Sequence, residues 1–326
     1  MKQISQNLIE ICNLLSDLKS HDGTSIGENL NVSRTAIWKN IKKLQSYDVE
    51  IEAQKSKGYI FKTPLILLNP KEITKNIKHK NVKLEVFESL LSTNDYLNEI
   101  KTPFLKPHIC LSEQQTKGKG RFDRLWHAPF AKNISCSIGI QPTIDISELG
   151  GLSIAIGIAT CNALKSILNL DNKLQLKWPN DIYYDDKKLG GILIEVKAET
   201  NGQCRLVIGI GINVNLLNAK KNDISQNWTS LQQMTNTYHN RNLLVSKLID
   251  EVLSSIEIYE KSSLNTFLEK WDSYDYLKNK KLILISGKHE FIGIANGINQ
   301  QGHLVLKLDS GEEKAFASGE TTIKKR

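Results

Sequence analysis

The chain has no C-x-x-C pair, and its five cysteines, Cys12, Cys110, Cys136, Cys161 and Cys204, lie singly inside apolar runs. An odd count with no pairing pattern argues against a disulfide frame and reads as buried, reduced thiols. No stretch approaches the ~18 uninterrupted apolar residues that a membrane span requires. Met1 to Gln6 leads into mixed polar residues, not the apolar core of a signal peptide. These absences predict a soluble, cytoplasmic chain with no membrane partner. Charge is unevenly supplied: 43 Lys and Arg against 35 Asp and Glu leave +8, which favours anionic partners without naming one. At 326 residues, two or three domains are expected.

Glycine and positive charge concentrate between Glu113 and Trp126, in Gln115-Thr116-Lys117-Gly118-Lys119-Gly120-Arg121-Phe122-Asp123-Arg124. Strand-like runs bracket this stretch, Ile109 to Ser112 before it and Ile134 to Ile140 after. Glycine lets backbone N–H groups turn inward at positive φ, and interleaved Lys and Arg add charge, so such a loop can wrap a phosphate or carboxylate. Neither G-x-x-x-x-G-K-S/T nor G-x-G-x-x-G can be read in it, so any nucleotide must be held another way. A solvated basic loop is the competing reading.

In the first twenty residues Ile4, Leu8, Ile11, Leu15 and Leu18 recur at steps of three and four, the mark of an amphipathic helix. A short helix follows from Thr24 to Leu30, then a tight connection at Asn31-Val32. Ser33 is placed to cap a third helix with Ile37, Ile41 and Leu44 facing inward. That order predicts a helix-turn-helix. Arg34, Thr35, Trp38, Lys39, Lys42 and Lys43 fall largely off the apolar face, where a recognition helix presents groups to bases and phosphates. Val49 to Glu52 and Tyr59 to Phe61 alternate like strands about Lys55-Ser56-Lys57-Gly58, which reads as a wing with a basic tip. A small helical packing unit with a charged face is the plainer alternative.

Thr63-Pro64 ends this unit, and a lysine-rich segment from Lys71 to Lys83 leads into the strand signal Leu84 to Phe87. Ser92-Thr93-Asn94 then opens a predicted helix, where hydroxyls and an amide serve either as caps or as ligand-binding groups. Leu149 to Leu168 is apolar almost all round and predicts a helix buried against a sheet. Next, Pro179 breaks a strand at Lys177-Trp178-Pro179-Asn180-Asp181, gathering Lys177, Asn180 and Asp181 at a kink. Lys188 stands at the mouth of the strand Leu189-Gly190-Gly191-Ile192-Leu193-Ile194-Glu195, and Gly209-Ile210-Gly211-Ile212-Asn213 repeats the glycine-relieved pattern. Such strands predict a flat crevice that admits a thin ligand. Asn215 to Gln226, with Lys220-Lys221-Asn222-Asp223, reads as a mobile loop, and Leu243 to Trp271 as one long helical stretch. After Tyr274 short strands separated by glycine-bearing turns predict a small antiparallel barrel.

Taken together and in this order, Ser92-Thr93-Asn94, the Gln115 to Arg121 stretch with Trp126, Lys177 to Asp181, Lys188 to Leu193 and Gly209 to Asn213 resemble the biotin protein ligases that double as biotin operon repressors. The resemblance spans nearly the whole chain. It implies an α+β multidomain fold: a winged helix-turn-helix over 1–63, a class II synthetase-like α/β catalytic domain over 64–272, and an SH3-like β-barrel over 273–326. It implies that biotin and ATP, with Mg²⁺, give biotinyl-5′-AMP, which acylates a lysine of the biotin carboxyl carrier protein. Lys188 and Arg121 would be catalytic. Ser92, Thr93, Asn94, Gln115, Lys119, Gly120, Arg121 and Lys188 would hold biotin. The nucleotide would fall to Lys119, Arg121, Trp126, Lys177, Asn180, Asp181 and Asn213. Ser33, Arg34, Thr35 and Lys39 would meet operator DNA, with a homodimer forming when biotinyl-5′-AMP is bound, and no protein-borne metal site is expected.

Two positions depart from the family pattern. Gly118-Lys119-Gly120-Arg121 stands where Gly-Arg-Gly-Arg is usual, and lysine lacks the bidentate fork of arginine. Lys117 replaces a usually small residue. Two other functions fit much of the same sequence: a ligase for lipoate or another small acid, and a regulator that senses biotin without ligating it.

Overall fold

The computed structural model describes residues 2–54, 57–168, 170, 173–198, 204–219, 224, 226–319 and 321–323. Three helices open the chain: α1 (Gln6–Leu15), α2 (Gly23–Leu30) and α3 (Arg34–Ser46). Each starts on a side-chain oxygen that takes an otherwise unpaired N–H: Ser5 at α1, Asp22 at α2, Ser33 at α3. The first helix stops at Leu15, and Leu18, at φ 58° and exposed, lies outside the expected stripe. Asn31 ends α2 at φ 52°, and a side chain on Gly27 would press within 2.7 Å of the Val32 carbonyl, so the connection to α3 stays tight. Strands β1 (Ile51–Gln54) and β2 (Gly58–Phe61) pair antiparallel as the expected wing, whose Lys55 and Ser56 lie outside the described residues.

The lysine-rich segment contains a helix that the sequence reading missed, α4 (Pro70–Asn76), capped by Asn69 with proline in its first turn. Beyond it come β3 (Lys83–Phe87), α5 (Thr93–Glu99), β4 (His108–Ser112), β5 (Gln115–Lys119), β6 (Leu125–Ala128), β7 (Asn133–Ile140), α6 (Leu152–Leu168), β8 (Leu174–Lys177), β9 (Asp181–Tyr184), β10 (Lys187–Ala198) and β11 (Cys204–Asn213). A seven-stranded sheet runs β3-β4-β7-β11-β10-β9-β8, with β3 and β4 parallel and the other neighbours antiparallel. Helix α6 begins at Leu152, not Leu149, because Gly151 sits at φ 83°. It packs over one face of the sheet with α8 (Arg241–Ser262), which follows the short α7 (Leu231–Thr235). The long helix expected to Trp271 is two: Ser263 at φ 50° breaks the ladder, and α9 (Asn265–Tyr274) starts afresh. Of the expected mobile loop, 220–223 and 225 lie outside the described residues.

The last strands, β12 (Lys281–Ser286), β13 (His289–Ile298), β14 (Leu304–Leu308), β15 (Glu313–Phe316) and β16 (Thr321–Ile323), form an antiparallel sheet in the order β15-β14-β13-β12-β16. Among the described residues no ladder joins β15 to β16, so the observed element is a five-stranded sheet. It docks on the middle of the chain through Trp178, whose indole N–H donates to the Gly302 carbonyl at 3.0 Å. All five cysteines are buried and unpaired. No described helix is long and apolar enough to cross a membrane.

The N-terminal unit is fastened to the middle of the chain. Ile4 N–H donates to the Val86 carbonyl at 3.0 Å, Tyr47 stacks on Phe130 at 4.1 Å between centroids, and Lys43 forms an ion pair with buried Glu88. This corrects the expected role of Lys43, which points at the sheet and not at a DNA partner.

Candidate active site

The sheet turns one face to α6 and α8 and the other to the site, and the period-2 alternation of its strands decides which residue goes where. In β7, Ile134, Cys136, Ile138 and Ile140 enter the main core, leaving Asn133, Ser135, Ser137 and Gly139 for the opposite face. In β11, Leu206, Ile208, Ile210 and Ile212 do the same and leave Gly209, Gly211 and Asn213. Register aligns these small residues in rows: Ser137 beside Gly209 beside Leu193, and Ser135 beside Gly211 beside Gly191. The expected flat crevice is this floor. A cavity of about 610 Å³ lies over it.

Part of the lining is polar and uncharged. Ser92 caps α5, its hydroxyl accepting from Asp95 N–H at 3.3 Å, so it acts as a cap and lines the cavity at once. The N–H and hydroxyl of Thr93 reach Gln115 Oε1 at 2.8 and 3.0 Å. Ser137 Oγ lies 2.7 Å from Thr93 Oγ1 and 2.6 Å from Asn94 Oδ1, while Asn94 Nδ2 donates to Glu195 Oε2 at 2.7 Å. Gly209 makes room for this: a Cβ there would come within 2.3 Å of Asn94 Oδ1. Ser135 Oγ is buried without a partner among the described residues and lines the cavity, a polar group left for a ligand.

Another part of the lining is cationic. The basic stretch is a hairpin, not a loop: β5 and β6 pair around a turn in which Phe122 and Asp123, each at φ 55°, hold the left-handed positions. This corrects the expectation that glycine would take positive φ here. Gly120 is extended at φ −119°, and Gly118 instead permits close approach, since a Cβ would meet the Trp126 carbonyl at 2.5 Å. Lys119 Nζ contacts Asp95 Oδ1 at 2.5 Å, a hydrogen bond that raises the lysine pKa. Arg121 donates to Asn180 Oδ1 at 3.3 Å and also to the Ser318 carbonyl, so the hairpin touches the C-terminal sheet. Burial pushes the Arg121 guanidinium below its ordinary pKa, against the pull of Asp181.

Lys177, Asn180 and Asp181 do gather, but at a full reversal: β8 and β9 form a hairpin in which Lys177 faces Asp181. Asn180 Nδ2 donates to the Ile192 carbonyl at 2.7 Å, which fixes its oxygen toward Arg121. Lys188 Nζ pairs with Asp181 Oδ1 at 2.7 Å and stands 5.9 Å from the Trp126 ring centroid. Its backbone is held on both sides, N–H to the Asn227 carbonyl and C=O to Thr229 N–H. Trp126 lies against Gly211, where a Cβ would meet the ring at 2.6 Å, and its buried indole N–H has no partner among the described residues. Asn213 is more scaffold than expected, bonding the Thr229 carbonyl at 3.0 Å and Asn133 at 3.3 Å, though it also lines the cavity. Sequence reasoning missed Ser135, Ser137, Glu195 and Ser318. The first two were findable in the alternation of Asn133-Ile134-Ser135-Cys136-Ser137-Ile138.

Counted over the described lining, Lys119, Arg121, Arg124, Lys177 and Lys188 face the lone carboxylate of Asp181. A cavity lined both by uncharged hydrogen-bonding groups and by this excess of cations is built for a small molecule with a polar neutral head and an anionic tail, beside a second anion.

In the N-terminal unit the structure exposes Ser33, Arg34, Thr35 and Lys39 at the start of α3. No ligating cluster of three or more His, Cys, Asp or Glu occurs among the described residues.

Residues 86–213 match the model of the biotin/lipoate A/B protein ligase family, and residues 7–60 match an HTH domain. The bifunctional ligase/repressor BirA of Escherichia coli (strain K12) is 34% identical over 316 residues, 97% of this chain and 97% of that one. The protein of the same name from Bacillus subtilis (strain 168) is 27% identical over 305 residues, 91% and 92% of the two chains. Among solved structures, the biotin protein ligase from Aquifex aeolicus in complex with biotin and ATP shares the fold, with TM-score 0.65 and 24% identity over 75% of this chain and 99% of that one. Near-full-length similarity to a ligase/repressor and the matched order of the two domains lead to one conclusion: the chain belongs to the biotin/lipoate A/B protein ligase family and carries a helix-turn-helix domain ahead of its ligase part.

Proposed function

We propose that the chain is a biotin–protein ligase that makes biotinyl-5′-AMP from biotin and ATP, transfers biotin to a lysine of the biotin carboxyl carrier protein, and represses biotin synthesis by binding operator DNA. The observation that carries this reading is the make-up of the cavity lining, five cations against one carboxylate together with a group of uncharged hydrogen-bonding side chains.

Activation joins two anions, so the protein's part is positioning and charge neutralisation. Ser92, Thr93, Asn94 and Gln115 take the ureido and thiophene head of biotin. Lys119, Gly120 and Arg121 fold over its carboxylate. A carboxylate oxygen attacks the α-phosphorus of ATP in line, the bond to the pyrophosphate oxygen breaks, and Lys188 and Arg121 offset the charge gathering on the α-phosphate. Lys177, Asn180, Asp181 and Asn213 hold the nucleotide, with Trp126 beside its base. The amine of a carrier lysine then attacks the acyl carbon, and AMP leaves with the bonding electrons.

Mg²⁺ fits this site only as a companion of the phosphates, because Asp181 is the one carboxylate on the described lining. There it would add positive charge.

The same reading divides the chain into a winged helix-turn-helix over 1–63, a class II synthetase-like domain over 64–272 and an SH3-like barrel over 273–326. It assigns Ser33, Arg34, Thr35 and Lys39 to DNA, makes the adenylate-bound form a homodimer, and sets the chain in the cytoplasm.

The test is incubation with ATP, biotin and candidate carrier domains, scored by mass. The expected result is one added biotinyl group on a single carrier lysine, lost with Lys188→Ala. Undiminished transfer by that variant would remove Lys188 from the chemistry, whereas no transfer by the unsubstituted chain, with biotin still bound, would reduce the site to a biotin sensor. Lipoate competing with biotin in ATP–pyrophosphate exchange would move the chain to the lipoate side of its family.

A further inference from the structure

Trp38 is an indole left 49% exposed in the second turn of α3, and neither catalysis nor packing uses it. It stands one turn after Arg34 and one turn before Lys42, so a cation, an aromatic and a cation follow one another along one side of the helix, with exposed Thr35 and Lys39 next to them. No carboxylate occurs anywhere in α3. The far end of the helix is fixed to the sheet by Lys43 on Glu88 and by the stacking of Tyr47 on Phe130, which leaves the Arg34 end directed to solvent. This geometry suits a major groove entered by the start of the helix.

Cations in that setting meet phosphates, which position a protein, or the acceptor edge of guanine, but they give no apolar contact to a base. An indole neutralises nothing. What it offers a groove is apolar surface, and the apolar feature of a major-groove edge is the C5 methyl of thymine. We propose that Trp38 is a base-reading residue that packs its indole against a thymine methyl, setting sequence preference at that base pair while Arg34, Lys39 and Lys42 supply affinity. The proposal rests on the reading of α3 as a DNA-contacting helix.

The experiment is binding-site selection from a randomised duplex pool by the full chain loaded with biotin and ATP, followed by titration of the selected duplex. Trp38→Ala should lose the preference at one thymine position and bind the selected duplex about 5- to 30-fold more weakly. Uracil in place of that thymine should cost the original chain a similar factor and cost Trp38→Ala nothing. Arg34→Ala and Lys39→Ala should instead weaken binding and flatten the salt dependence while leaving the preference at that thymine intact. If Trp38→Ala selects the same site with the same affinity, or uracil costs both chains equally, the base-reading role is overturned while DNA binding stands. If the original chain retains no duplex and Arg34→Ala changes nothing, the DNA reading falls and the role of Trp38 falls with it.

Discussion

Gly209 and Asn94 show how closely the site depends on single atoms. Asn94 holds its carboxamide between Ser137 and Glu195, and only a missing side chain on Gly209 leaves it that space. Gly209→Ala should displace the carboxamide and leave buried polar atoms unpaired, which costs about 1–3 kcal/mol. Steady-state kinetics should then show a KM for biotin raised about 5- to 150-fold, with the KM for ATP nearly unchanged. Lys119 poses a different question, because a lysine stands where an arginine is usual. Its partner Asp95, in the first turn of α5, ties the hairpin to the helix that carries Thr93 and Asn94. Both side chains are partly in water, so the pair is weak. Asp95→Asn should increase escape of activated biotin, read as labelling of bystander protein amines, by about two- to fivefold, and the effect should vanish at high salt.

At the scale of elements, the segment 65–69 that joins the helix-turn-helix to the sheet is bolted down along its length. Asn242, at the start of α8, accepts from Asn69 N–H at 2.7 Å and donates to the Leu67 carbonyl at 3.0 Å, and Leu68 N–H donates to Glu113 Oε1 at 2.5 Å. Arg241 pairs with Glu113 at 2.7 Å, both side chains fully buried, and also donates to the Ile66 carbonyl. Arg241→Met would strand the Glu113 charge in the interior and should cost about 3–5 kcal/mol in urea unfolding. Adding Glu113→Leu should recover much of that loss, because the uncompensated charge is what destabilises. None of this was legible in the sequence, where Glu113 read only as the edge of a basic stretch, since its partner lies far along the chain. What could be read was local: capped helices at Ser33, alternation in β7 and β11, turn glycines after Tyr274. Misreadings arose where local signals compete. Charge hid α4, continuous apolar periodicity hid the break at Ser263, and Pro179 marked a reversal that strand pattern alone showed as a kink. Ser318 could not be found at all, because its carbonyl reaches Arg121 from 197 positions away.

For the molecule as a whole, the edge where the N-terminal residues join β3 also carries an acid sensitivity. His108 is buried against Glu85, which also receives Tyr96, Lys83 and Gln3. Burial pushes the imidazole below the usual histidine value even though Glu85 pulls the other way. Burial alone would raise Glu85, but bonds from His108, Lys83 and Tyr96 outweigh it and leave that carboxyl lowered. A histidine depressed in the folded state binds its proton more readily when unfolded. Its stabilising contribution is therefore intact above the unfolded value of about 6.5 and is lost as pH falls through it toward the lower folded value. The Glu85 contribution is lost in the same direction, below about pH 4.3. Urea midpoints taken from pH 8 down to 5 should decline, and His108→Gln should flatten the decline.

The burial of all five thiols has a practical consequence. A maleimide dye mixed with the folded chain should leave Cys12, Cys110, Cys136 and Cys161 untouched, so with Cys204, at the start of β11, replaced by serine, the onset of labelling becomes a clock for opening of the core. Against that silent background, Phe122→Cys at the exposed tip of the hairpin would take up a single fluorophore. Its emission would report the motion of that tip directly as biotin and ATP are added.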